Sequence, residues 1–112
     1  MLRPVALHLE FDTGKATLRP DAQPTVDQVL ALLKGHPDLK LGVEGHTDNV
    51  GDKKSNLELS RKRAESVVKY LSDKGIDGKR LKADGKGDAV PVADNRSEDG
   101  RATNRRVELV RF

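Results

Sequence analysis

The stretch GHTDNVG, Gly45 to Gly51, sets an imidazole, a hydroxyl and a carboxylate on consecutive residues: His46, Thr47 and Asp48. Three chemistries draw on such a set: metal ligation, a nucleophile–base relay, and recognition of a charged ligand. For metal, residues two apart on an extended segment face the same way, so His46 and Asp48 can act together, with His8 on the polar face of an earlier strand as a third donor. Zinc asks for three or four ligands in fixed geometry, however, and the remaining histidine, His36, falls in a helix-ending turn. His46 reads instead as a strand-closing residue bonded to loop backbone, and no metal is assigned. For a relay, Thr47 and His46 are adjacent and point to opposite faces, so nucleophile and base do not meet. No Gly-x-Ser-x-Gly turn, cysteine nucleophile or glycine-rich phosphate loop appears elsewhere. With eighteen acids in the chain, any pairing of two carboxylates is arbitrary. No catalytic residue, enzyme activity or cofactor is expected.

Recognition of charge remains. Asp48 follows a strand and precedes a helix start, a position at the sheet rim where ligands often bind. Free N–H groups at a helix start also favour an anion. Along that helix Asn56, Ser60 and Arg63 fall on one face, and helical side chains lean toward the N-terminus, which aims Arg63 back at Asp48. An Asp and an Arg on one rim suit a ligand carrying both ammonium and carboxylate. By spacing alone they serve equally well as a plain surface ion pair.

The elements that must position these residues follow from periodicity. Val5 to Phe11 alternates strictly, with Val5, Leu7, Leu9 and Phe11 on one face, and predicts a half-buried strand. From Pro20 or Pro24 to Lys34, the residues Ala22, Val26, Val29, Leu30 and Leu33 recur at helical spacing, and Gly35 with Pro37 ends the run. Leu39 to Gly45 alternates again. Ser55-Asn56-Leu57-Glu58 has the form of a capping box, Ser55 capping and Glu58 returning the bond. The helix behind it points Leu57, Ala64, Val67, Val68 and Leu71 at a core and stops at Gly75. Leu81 to Ala83 is a short strand, 85–100 a turn-rich irregular segment, and Arg105 to Phe112 a terminal strand. The order β-α-β-α-β-β, with two main helices on one face of a small sheet, is a two-layer α/β sandwich. The other face, carrying His8, Glu10, Lys40 and Glu44, is expected to be wet.

Composition bounds the partners. The 112 residues suffice for one domain, and a core drawn from 35% hydrophobic residues is modest and almost wholly aliphatic. The net charge of +3 is a mild basicity, and the aromatic platforms of single-strand binders are missing, which disfavours nucleic acid. Without cysteine there is no disulfide framework and no thiolate metal site. No apolar run is long enough to span a membrane. No secretory h-region follows Met1 to Pro4, so the chain reads either as cytosolic or as a domain of a longer exported protein.

Taken together, GHTDNVGDKKSNLELSRKRAESVVKYLSDKGI, preceded by FDTGKATLRP and followed by GRATNRRVEL, closely resembles the OmpA C-terminal-like domain family. That family includes peptidoglycan-associated lipoproteins and the periplasmic domains of flagellar-motor stators. The resemblance runs from about Val5 to Phe112. It implies a single domain over 1–112, cut from a longer exported protein, with a mixed sheet, at work in the periplasm and joined to the outer membrane only through a missing N-terminal anchor or domain. It also implies noncovalent binding of peptidoglycan through the diaminopimelate of the stem peptide. The Asp and Arg that grip this residue in the family match Asp48 and Arg63. Asn56, Thr47 and Arg105 match further site-lining positions. The residue after Phe-Asp-Thr, often Asn or Ser in relatives, is Gly14, which can contribute backbone only. Lys86 replaces a frequent aromatic, and Arg61-Lys62 makes the helix more basic. The alternative is an envelope protein–protein interaction module that binds little or no peptidoglycan.

Overall fold

The structure is a computed structural model that describes residues 5–7, 9, 11 and 15–112. His8, Glu10 and Gly14 lie outside the described residues. Four strands, β1 (Val5–Leu7), β2 (Leu41–His46), β3 (Leu81–Gly87) and β4 (Arg106–Arg111), form one sheet in the order β1-β4-β2-β3. β4 is antiparallel to both β1 and β2, whereas β2 and β3 run parallel, so the sheet is mixed. A parallel pair needs a long crossover. Here it is α2 (Lys53–Asp73). The first helix, α1 (Gln23–Gly35), follows a single 3-10 turn at Pro20–Ala22.

One core joins the layers. α1 contributes Val26, Val29 and Leu33, and α2 contributes Ala64, Val67 and Leu71; they meet Leu41 and Val43 of β2 and Val107 and Leu109 of β4. These are the apolar residues at helical and alternating spacing. Each fully buried Leu or Val among them is worth about 1.5–3 kcal/mol. The two helices are also tied by Tyr70, whose hydroxyl donates to Asp27 at 2.6 Å. Arg80 closes the end of α1, its guanidinium donating to the carbonyls of Leu33 and His36 and, through Nε, to that of Leu39.

The α2 backbone lies directly on glycines of β2 and β3. A Cβ at Gly45 would stand 2.1 Å from the Ser60 carbonyl oxygen, and one at Gly85 2.5 Å from the Arg61 nitrogen. Ser60, fully buried at this crossing, donates through Oγ to the Leu57 carbonyl and accepts from the Gly87 N–H at 2.9 Å.

Several elements differ from expectation. The cap of α2 is Asp52, whose carboxylate accepts from the Ser55 N–H at 2.9 Å; an acid one turn earlier outcompetes Ser55, and the Ser55–Glu58 box does not form. Leu57 is exposed, not a core residue, because at this first turn the helix backbone meets Gly87 of the sheet. β2 begins at Leu41, two residues later than the alternation predicts, and β3 continues to Gly87. The segment read as irregular ends in a short helix, α3 (Glu98–Asn104), capped by Ser97. The loop before α3 is held by Asn104, fully buried. Its carbonyl oxygen accepts from the N–H groups of Val92 and Ala93, and its amide donates to the Ala93 carbonyl and the Asn95 side chain. The far sheet face is wet only in part: His46 and Arg106, side by side across the β2–β4 ladder, are buried.

Gly45→Ala must push backbone off backbone, and should cost about 2–3 kcal/mol by chemical denaturation, with larger side chains abolishing folding. Asn104→Ala strands four polar partners and should lower stability by about 2–4 kcal/mol, with hydrogen exchange faster first in 88–97.

Candidate functional site

The antiparallel register of β2 and β4 creates the site. His46 stands opposite Arg106. The chain leaving β2 therefore carries Asp48 to the same sheet end at which Arg105 enters β4. Thr47 fixes the exit: its N–H donates to the Gly87 carbonyl at 2.8 Å, and its Oγ1 donates to the Asp48 carbonyl at 2.8 Å. Asp48 then turns back on its own loop, Oδ1 accepting from the Val50 N–H at 3.0 Å. Asn56, in the first turn of α2, donates its amide to the Val50 carbonyl at 2.9 Å and braces the same loop.

Arg63 arrives from α2 one turn beyond the Ser60 crossing. Its Nε donates to the Lys15 carbonyl at 3.0 Å, and its guanidinium lies over the Phe11 ring, 5.0 Å from the centroid. Ser66, three residues on, bonds the Ala16 carbonyl and holds the same incoming segment. The result is a cleft of about 820 Å³ whose lining includes Thr47, Asp48, Asn56, Arg63 and Arg105. Five of the six residues expected at the site thus share one cleft. The sixth, Gly14, lies outside the described residues.

The partnership inside the cleft is richer than an Asp48–Arg63 pair. Asp48 Oδ2 accepts from Arg105 Nη1 at 2.6 Å, and Arg105 Nη2 donates to Glu98 at 2.7 Å, so one guanidinium joins two carboxylates. Burial lowers the pKa of Arg63, and repulsion by Arg105 adds to this, while Asp48 pulls it back up. The Arg105 pKa is raised, first by the bond to Glu98 and then by that to Asp48, and Glu98 is correspondingly lowered. Among the described residues, the lining includes the guanidiniums of Arg19, Arg63, Arg105 and Arg106 and the carboxylates of Asp48 and Glu98. Arg63 and Arg105 present guanidiniums to a carboxylate there, and Asp48 offers an ammonium an acceptor.

Glu98 and Phe11 are two of the cleft residues that sequence reasoning missed. Glu98 and Arg105 are seven apart, two helical turns, which would have placed them on one face had α3 been foreseen. Phe11 was read as a core residue closing its strand face. It packs against the core and also floors Arg63. Two of the N–H groups at this helix start are not available to an anion. The Asn56 N–H donates to the Asp52 carbonyl at 2.9 Å, and Asp52 also occupies that of Ser55.

Known proteins share this fold. A family model described as the OmpA family matches residues 10–105. Outer membrane protein A of Bordetella avium is 41% identical over 99 residues, which are 88% of this chain and 51% of that protein. The chain spans about half the length of such curated relatives. A MotB-like protein from Desulfovibrio vulgaris superposes with a TM-score of 0.88 at 30% identity, covering 96% of this chain and 71% of that one. The peptidoglycan-associated lipoprotein of Burkholderia pseudomallei does so with a TM-score of 0.82 at 33% identity, covering 99% and 91%. No helix among the described residues is long and apolar enough to cross a membrane. With the family model covering most of the chain, and the fold shared end to end with solved relatives, this chain belongs to the OmpA family.

Proposed function

We propose that this domain binds bacterial peptidoglycan noncovalently, through the diaminopimelate of the stem peptide, and so holds an envelope protein to the wall from the periplasmic side. The observation that carries the reading is the cleft in which a buried carboxylate, Asp48, stands among two guanidiniums, Arg105 and Arg63. The far end of diaminopimelate is a zwitterion, an ammonium beside a carboxylate, and so offers a cation to Asp48 and an anion to the guanidiniums. The name of the Burkholderia relative, a peptidoglycan-associated lipoprotein, supports peptidoglycan as the partner.

In this mechanism Arg63 and Arg105 take the ligand carboxylate while Asp48 accepts from its ammonium. The parts differ in how readily they rearrange. Asp48 is pinned by Val50 and its side chain is 12% exposed, so it is the fixed acceptor. Glu98 is 66% exposed and its bond to Arg105 is a surface pair of small net worth, so an incoming carboxylate can replace it. Thr47 and Asn56 shape the loop that presents Asp48. Arg63 needs no large movement, because Phe11 and the Lys15 carbonyl already fix its direction.

Retention on purified sacculi checks the site. Asp48→Ala and Arg63→Ala each remove a charge-assisted contact and should weaken binding about 10- to 100-fold while leaving the fold intact by circular dichroism. Equal retention of wild type and both folded variants excludes the assignment. Sacculi with lysine in place of diaminopimelate keep the ammonium but lose the adjacent carboxylate. Retention should fall on them, and unchanged retention would remove diaminopimelate from the mechanism while leaving wall binding in place.

A further inference from the structure

The sheet face turned away from α1 and α2 carries a group of side chains that wall binding does not use. Strand alternation places Glu44 and His46 of β2 on this face, and the β2–β4 register sets Glu44 opposite Glu108 and His46 opposite Arg106. His46 has a side chain only 2% exposed, and neither ring nitrogen has a hydrogen-bond partner among the described residues. The expectation that it bonds loop backbone at the strand end is therefore not met. A buried imidazole left unbonded is costly, and each such group in a folded protein calls for a reason.

Its surroundings supply one. His46 Nε2 lies 3.8 Å from Glu44 Oε1 and 3.9 Å from Glu108 Oε2, and one ligand atom from each of the three residues can be chosen so that all lie within 4.8 Å of one another. These separations are too long for hydrogen bonds. They are close to those of ligands sharing one ion, since donors bonded tetrahedrally at about 2.0–2.2 Å stand about 3.4 Å apart. Two glutamates directly opposite on neighbouring strands also repel unless a cation lies between them. Arg106 answers this in part: its Nε donates to Glu108 Oε2 at 2.5 Å, but its other nitrogens are held by the carbonyls of Asn104 and Val90. Lys86 is engaged with Asp84 at 3.0 Å. Among the described residues around His46, the carboxylates of Glu44, Glu108 and Asp84 thus stand with the cations of Arg106 and Lys86. Burial, and then Arg106, lower the His46 pKa, which keeps the imidazole in its neutral, ligating form.

We propose that Glu44, His46 and Glu108 form a binding site for a divalent transition-metal ion of the zinc class. One imidazole and two carboxylates suit zinc better than magnesium or calcium, which favour oxygen donors alone. Three protein ligands leave a fourth position to water. Small rotations of the two glutamates close the set, and Glu108 relaxes its bond to Arg106, which its two carbonyl partners keep in place. The ion would join the end of β2 to the start of β4, two residues before Asp48 and three after Arg105.

The test uses the full chain without a histidine tag, titrated with zinc chloride at about pH 7.5 against a chromophoric chelator, with thermal unfolding measured in parallel. The expected result is saturable binding of one zinc per chain and a rise in Tm, while magnesium chloride gives neither. Glu44→Gln, on a side chain 25% exposed, should weaken zinc binding by at least about tenfold, and His46→Gln should abolish it. His36→Gln, in the exposed turn after α1, should bind as wild type. The proposal is overturned if zinc fails to saturate, if Glu44→Gln binds like wild type, or if His36→Gln removes the binding, which would mark an adventitious surface ion.

Discussion

The contact on which this domain depends is the one between two backbones, α2 against β2 and β3 at Gly45 and Gly85. A helix normally stands off a sheet by the thickness of two side chains, but here it descends until a single added methyl would collide with the Ser60 carbonyl. Ser60 is fully buried there, and its hydroxyl bonds both helix and sheet, so the crossing is fixed in register as well as in distance. Arg63 follows one turn later. Its reach into the cleft is set by that register, because a helix shifted along the sheet would carry the guanidinium off Phe11 and away from Asp48. Packing of small residues, with no charge of their own, thus determines where the charges can meet.

The charges divide into fixed and exchangeable groups. Asp48 is fixed because its loop is bonded from three sides: by Thr47 onto Gly87, by its own turn onto Val50, and by Asn56 onto Val50. Arg105 lies between Asp48 and Glu98, and only the first of these partners is buried. A guanidinium holding one inner and one outer carboxylate can exchange the outer one at little cost, since exposed pairs net less than about 1 kcal/mol. The cleft is thereby organised before any ligand enters, and Glu98 satisfies Arg105 in the meantime.

Much of this was legible in the sequence because it rests on local periodicity. Val26, Val29 and Leu33, or Val67 and Leu71, occur at spacings only a helix can bury on one side, and Leu41 and Val43 at the spacing of a strand. Asp48 and Arg63 were legible as a converging pair because both lie close to one turn. What stayed hidden rests on contacts between distant segments. α3 has the sequence EDGRATN, with no apolar stripe to betray it, and is held by the Ser97 cap and the buried amide of Asn104. The Asp48–Arg105 bond spans 57 residues and follows from a strand register that spacing does not disclose. Leu57 misled for the opposite reason: its spacing is right, but at the first turn of α2 the helix backbone already occupies the space a side chain would fill.

A cleft of this kind cannot bind a single small ligand tightly. Each charge-assisted contact nets about 1.5–3 kcal/mol when shielded, and less than about 1 when exposed. Against three or four of them stands the loss of translational and rotational freedom, at least about 4 kcal/mol. For the proposed ligand, one stem peptide, the balance falls between about micromolar and millimolar. Weak single contacts are no handicap against a polymer that repeats its ligand. A domain held near such a polymer finds another copy within reach whenever one is lost, and occupancy is set by effective concentration more than by the strength of any one bond. The mild excess of Lys and Arg acts in the same direction, drawing an acidic matrix toward the domain over a distance that shrinks with salt. A charged and preorganised cleft is therefore adequate for the proposed role of an anchor, which must hold on average while letting each single contact go.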